Sequence, residues 1–213
     1  MIIHSFLWKE KDTVKKNKPK YKQIIDAAVV VIAEYGYHQA QVSKIAKQAG
    51  VADGTIYLYF KNKEDILISL FEEKMGEFVG KIEEGINSVE SASDKLAVLI
   101  QKHFEIMAGD PHLAIVTQLE LRQSNKELRI EINGILKGYL VLVDSVLKAG
   151  ITSGEFKSTL NCKLARQMIF GTLDEIVTTW VMNDQKYSLP SLAEELHALI
   201  IAGLLQSENS LIS

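Results

Sequence analysis

Runs of helical periodicity, each ended by glycine, proline or a polar cluster, constrain this chain more than any other feature of its sequence. From Tyr21 to Tyr35 the apolar residues Ile24, Ile25, Ala28, Val29, Ile32 and Tyr35 keep the i, i+3, i+4 spacing of one buried helix face. Gly36 closes that run, because glycine tolerates the left-handed backbone that ends helices. A short helix over 42–49 follows, with Val42, Ile45, Ala46 and Ala49 inward, and Gly50 stops it. Asp53 is a suitable N-cap for a third short helix over 54–60. Asn62 does the same for a long fourth helix over 63–89, with Glu64 and Asp65 where the helix dipole favours acids. Three glycines, Gly76, Gly80 and Gly85, weaken that helix without breaking it.

The punctuation continues. SASD precedes a helix over 95–108, GDP one over 111–122, and QSN one over 126–148. AGITSGEF and then NDQKYSLPS flank the last two, over 162–182 and 192–205. Strand alternation and internal repeats are both missing from the sequence. The expectation is an all-α protein of about nine helices, with three short ones forming a compact N-terminal unit and the long ones a second unit.

The 213 residues are 47 % hydrophobic, enough for a sizeable core. A single cysteine, Cys162, excludes an internal disulfide and suits a reducing compartment. MIIHSFLW lacks the basic start and cleavage site of a signal peptide, and no apolar run reaches the roughly 18 residues of a membrane span. A cytoplasmic protein without membrane insertion is expected, with residues 1–17 as a disordered leader. The net charge of −3 is unevenly spread. Residues 1–66 carry 11 lysines against 7 acids, and the remainder 13 basic residues against 20 acids. A basic head on an acidic body points to a polyanion that meets the head alone.

Two short helices joined by AGVAD after a longer one follow the helix-turn-helix plan, in which the second helix enters the DNA major groove. Ile56 and Phe60 lie four apart and join Val51, Ile45 and Ile25 in the core. Tyr57 and Tyr59 then flank the groove side, where a ring can meet a sugar or a thymine methyl and a hydroxyl can reach a phosphate. Gly54 permits close backbone approach. Asp53 serves mainly as a cap, with a cytosine amino group as its other option. Lys63, at a helix amino end, suits a phosphate. Lys18, Lys20 and Lys22 form either an N-terminal arm against the backbone or a solvated tail.

The run QVSKIAKQAGVADGTIYLYFKNKEDIL resembles the DNA-binding segment of the TetR family of bacterial repressors. The resemblance rests on the Ile-Ala-x-x-Ala-Gly-Val turn, the Gly-Thr-Ile-Tyr start and the Tyr-Phe-x-x-Lys-Glu-x-Ile that follows. It implies a DNA-binding domain over 18–62, with contacts from Ser43, Thr55, Tyr57, Tyr59 and Lys63, to which the helix-turn-helix plan adds Asp53 and Gly54. It also implies a ligand-binding and dimerisation domain over 63–213, a homodimer formed by the last two helices, and a palindromic operator. Ala165 with Gly171, and Ala198 with Ala202, would allow close helix contact there. Over more of the chain, including GDPHLAIVTQLELRQSNKELR, the sequence is similar to the FadR type within this family. That similarity implies a repressor of fatty-acid degradation genes that long-chain acyl-CoA releases.

Residues that would line an apolar tunnel for such an effector are Phe104, Met107, Leu113, Val116, Leu119, Ile169, Phe170, Leu173 and Val177. Arginine suits bidentate phosphate contacts, and all three arginines, Arg122, Arg129 and Arg166, lie in the body. They are candidate anchors for the CoA phosphates, with Lys102, His103 and Lys137 beside them. A sensor of cationic amphiphiles is the alternative, with Glu105, Glu120, Asp174 and Glu175 as its carboxylates. Enzymatic turnover is not expected. His103, His112, His197, Glu120 and Cys162 form no nucleophile–base spacing. A metal site and a resident cofactor are not expected either, since a helix break separates His103 from His112.

Overall fold

The computed structural model describes residues 19–121 and 123–205. The leader, Lys18 and Arg122 lie outside them. Among the described residues there are nine α-helices and one short 3-10 turn. They are α1 (Pro19–Gln39), α2 (Val42–Gln48), α3 (Asp53–Ile56), α4 (Lys63–Ile86), α5 (Ala92–Gly109), α6 (Pro111–Glu120), α7 (Lys126–Ser153), α8 (Cys162–Met182) and α9 (Ala193–Leu204), with the 3-10 turn at Leu189–Leu192. The all-α architecture agrees with the periodicity.

Two compact units divide the chain after Leu70, inside α4. The sequence expectation placed the border at 62/63, where α4 begins. The first turns of α4 bury Ile66, Leu67 and Leu70, and belong with the N-terminal unit.

In that unit α1 buries Ile24, Ile25, Ala28, Val29 and Ile32, the stripe read from the sequence. Tyr35 departs from it. It is 42 % exposed, and its ring carries the Lys44 ammonium 3.5 Å from its centroid. Gly36 kinks the helix with φ 71° and ψ 153°, and a short helical stretch continues to Gln39. Lys20 and Lys22 lie exposed on the first turn of α1, so they belong to a helix rather than to an extended arm.

In the second unit α5 is central and touches α6, α7, α8, the 3-10 turn and α9. It buries Leu96, Leu99, Ile100, Phe104 and Met107. Its amino end is bound twice. Ser91 accepts the Asp94 N–H at 3.0 Å, and the Glu155 carboxylate accepts the N–H groups of Ala92 and Ser93 at 3.0 and 3.1 Å. Those bonds, that from Ala92 foremost, hold the Glu155 carboxyl below its ordinary range. The turn after α7 ties down the end of α9. Phe156 bridges Leu205, and the Lys157 N–H donates to the Leu204 carbonyl at 3.0 Å. The Phe156 ring covers Gly150 so closely that a Cβ there would overlap it.

Candidate functional site: a nucleic-acid interface and a ligand cavity

The turn between α2 and α3 is set by hydrogen bonds that glycine makes possible. Gly50, at φ 63°, donates to the Lys47 carbonyl at 3.1 Å, and Val51 donates to the Ala46 carbonyl at 3.0 Å. This paired pattern ends a helix in one residue and turns the chain sharply. α3 then makes a single turn, and the bonds from Leu58 to Thr55 and from Phe60 to Ile56 carry the coil to Phe60. Ile45, Ile56 and Phe60 are buried beneath it. Val51, expected in that core, is half-buried.

Ser43, Asp53, Gly54 and Tyr57 stand exposed, Tyr57 at 60 %. Thr55 is half-buried. So is Tyr59, whose ring packs 6.4 Å from Tyr21 and 6.3 Å from Phe60. Asp53 was expected to cap this helix. It is instead the helix's first residue, Ala52 holds the cap position, and no side chain caps the helix. Lys63 is more committed than its expected phosphate role required. Its Nζ donates to the carbonyls of Tyr37 and His38 at 2.9 and 3.0 Å and lies 4.6 Å from the Tyr37 ring centroid. Two of its three protons thus serve the end of α1. At the same helix start, Asn62 accepts the Asp65 N–H, and the Asp65 carboxylate accepts the Lys61 N–H, both at 2.8 Å.

In the second unit a cavity of about 720 Å³ opens between α4, α5 and the start of α6. Phe78, Ile106 and Leu113 give it apolar surface, and Lys74, Lys81 and Lys102 give it cations. Its acids are Glu77, Glu84, Glu105 and Asp110. Lys102 donates to Glu105 at 2.8 Å and Gln101 to the other oxygen at 2.9 Å. These bonds, that from Lys102 first, hold the Glu105 carboxyl below its ordinary range. Against Phe78 lies a buried aromatic cluster. The His103 ring meets it edge to face at 5.1 Å, and the Tyr139 ring stands 5.4 Å from it. His103 Nδ1 and the Tyr139 hydroxyl are 2.9 Å apart.

Residues 24–70 match the family model of bacterial regulatory proteins of the TetR type. Residues 71–203 match that of the YsiA-like C-terminal region, whose model also belongs to TetR proteins. The chain belongs to the TetR family. It is 67 % identical over 191 residues to a fatty acid metabolism regulator protein of Bacillus subtilis, covering 90 % of this chain and 98 % of that one. A crystal structure of FadR from Bacillus subtilis in complex with stearoyl-CoA superposes with a TM-score of 0.84 at 68 % identity, covering 86 % of this chain and 98 % of that chain. FadR from Bacillus halodurans superposes with a TM-score of 0.84 at 63 % identity, covering 86 % of this chain and 99 % of that chain.

Within this TetR fold the expected tunnel residues divide. Leu113 lines the cavity. Phe104, Met107, Val116, Ile169, Leu173 and Val177 are buried, and Phe170 is half-buried with its ring 6.1 Å from Tyr139. Leu119 is 53 % exposed and is no part of that buried set, because α6 turns it away from the face that buries Val116. Of the arginines offered as anchors, Arg129 and Arg166 do not line the cavity. Arg166 pairs with Asp144 of α7, and Arg129 donates to the Gln123 carbonyl at 3.0 Å. Arg122 lies outside the described residues. The cations at the cavity are lysines, of which the sequence reading had named Lys102. Lys137 is exposed and does not line it. His103, offered as a cation, is 4 % exposed, and burial lowers its pKa to about 3, so it is neutral.

Sequence reasoning missed Leu58, which is 70 % exposed beside Tyr57, and Lys44 over the Tyr35 ring. Helical phase was the available signal for Leu58, since it falls two residues after the buried Ile56. On α8 and α9, Leu164, Met168, Met182 and Leu199 are exposed, with Gly171, Ala198 and Ala202 among them. Ala165, expected on that face, is 4 % exposed and packs inside its own subunit. Among the described residues no helix is long and apolar enough to cross a membrane, and no cluster of three or more metal-binding side chains occurs.

Proposed function

We propose that this chain is a transcriptional repressor of fatty-acid degradation genes, bound to palindromic operator DNA as a homodimer and released by long-chain acyl-CoA. The likeness to two FadR proteins over nearly their whole length carries this reading. The exposed surface of Ser43, Asp53, Gly54, Tyr57 and Leu58 meets the major groove, with the half-buried Thr55 and Tyr59 and the remaining proton of Lys63 at its edges. The apolar face of α8 and α9 pairs with its copy about a two-fold axis, and the two recognition helices meet successive turns of the duplex. The cavity of about 720 Å³ receives the CoA part of the effector, with Lys74, Lys81 and Lys102 toward its phosphates. Ligand acts by favouring a state with lower operator affinity, and its effect cannot exceed its differential affinity for the two states.

A second reading has one observation in its favour. Four acids face three lysines around the cavity, which suits a cationic amphiphile. Fluorescence anisotropy of a labelled operator separates the two. Stearoyl-CoA, but neither CoA alone nor a cationic dye, is expected to release the DNA. Release by the dye alone would replace the fatty-acyl reading. An operator complex that stearoyl-CoA leaves intact would end it.

A further inference from the structure

His103 presents a buried nitrogen that the protein does not use. Its Nε2 has no hydrogen-bond partner among the described residues, although its Nδ1 lies 2.9 Å from the Tyr139 hydroxyl. Two tautomers fit that contact. If Nδ1–H donated to the hydroxyl, both the tyrosine proton and the Nε2 lone pair would stay unpaired. If the hydroxyl donates to Nδ1, the Nε2–H alone stays unpaired. The second arrangement leaves fewer buried groups unsatisfied, so Nε2 is a donor. Burial holds His103 neutral and raises the Tyr139 pKa, which keeps both protons in place.

The surroundings say which acceptor fits. Phe78, Phe104 and Tyr139 surround the imidazole with ring centroids 5.1 to 6.0 Å from it, and Phe170 extends the cluster 6.1 Å beyond Tyr139. A carboxylate taken into such a place loses its hydration and meets no cation, whereas an uncharged carbonyl loses little. Phe78 also lines the cavity that carries Lys74, Lys81 and Lys102. Phe78 therefore touches both the lysine-bearing cavity and the ring that holds the unpaired buried donor.

We propose that His103 recognises the thioester carbonyl of the acyl-CoA effector. With Phe78 rotated aside, the Nε2–H donates to the carbonyl oxygen, the CoA part lies in the cavity, and the acyl chain runs on past Tyr139 and Phe170. This rests on the fatty-acyl reading above and adds a residue that separates thioesters from other amphiphiles of equal length.

The test is calorimetric titration of the full chain with stearoyl-CoA and with octadecyl-CoA thioether, which keeps the length and charge but lacks the carbonyl. The wild type should bind the thioester on the order of tenfold more tightly, the effect of leaving one buried donor unpaired. His103→Phe should bind the two ligands alike. Tyr139→Phe, which releases the tautomer, should narrow the preference. Should His103→Phe not fold, the wild-type preference and its narrowing in Tyr139→Phe carry the test. Equal affinities in the wild type, or a preference that survives in His103→Phe, would overturn the role of His103 and leave the fatty-acyl reading in place. Binding of neither ligand would overturn both.

Discussion

The two short helices of the recognition unit and four helices of the body begin in different ways. α2 and α3 start after Gln41 and Ala52, and neither receives a side-chain cap. α5, α6, α7 and α8 start after Ser91, Asp110, Asn125 and Asn161, whose side-chain oxygens accept the N–H three residues on at 3.0 to 3.1 Å. Each such cap contributes about 1 kcal/mol. These four body helices are therefore delimited by local chemistry, whereas α9 starts after Leu192 without a side-chain cap and α4, which begins in the N-terminal unit, is capped by Asn62. The two short helices of the recognition unit, seven and four residues long, are too short to persist alone and depend on the apolar side chains beneath them. In α2 and α3 the local rules for starting a helix are left unmet, and packing replaces them.

Three substitutions probe that contrast. Phe60→Ala should have the largest effect, about 3–5 kcal/mol, because it empties the core under α3. Urea unfolding followed by tyrosine fluorescence, with operator binding measured in parallel, would read it. A loss below about 1 kcal/mol would break the claim that packing holds the recognition unit together. Asp110→Ala should cost about 1 kcal/mol in the body, seen as a lower urea midpoint. No change there would mean that water serves the first turn of α6 equally well. Asp53→Ala should be the mildest, within about 0.5 kcal/mol in stability, since that side chain is exposed and caps nothing. A cost comparable to that of Asp110→Ala would return it to the capping role read from the sequence.

Legibility followed the range of the interaction. Glycine, proline and cap residues act within a few positions, so SASD, GDP and QSN marked their helices, and α8 runs over the expected 162–182. The recognition unit was readable because its motif is contiguous. Asp53 was misread even there, since a capping residue and a first-turn acid differ by one position. The body yielded less because its deciding contacts are distant in the chain. Arg166 meets Asp144 across 22 residues, and His103 meets Tyr139 across 36. A lone arginine reads as available until its partner is seen, and a histidine reads as a cation until its burial is known. Leu58 was passed over, because an exposed leucine is not picked out by residue type alone.

The closeness of Gly150 to Phe156 reaches beyond its own turn. In a saturation library this position would accept no side chain without displacing a ring whose backbone is paired with the end of α9. Tolerance at position 150 is thus bound to the identity of position 156. A related sequence carrying alanine at the first position should carry a smaller residue at the second, or should have given up the clasp on its last helix. Two letters of sequence would then sort relatives by how their final helix is anchored.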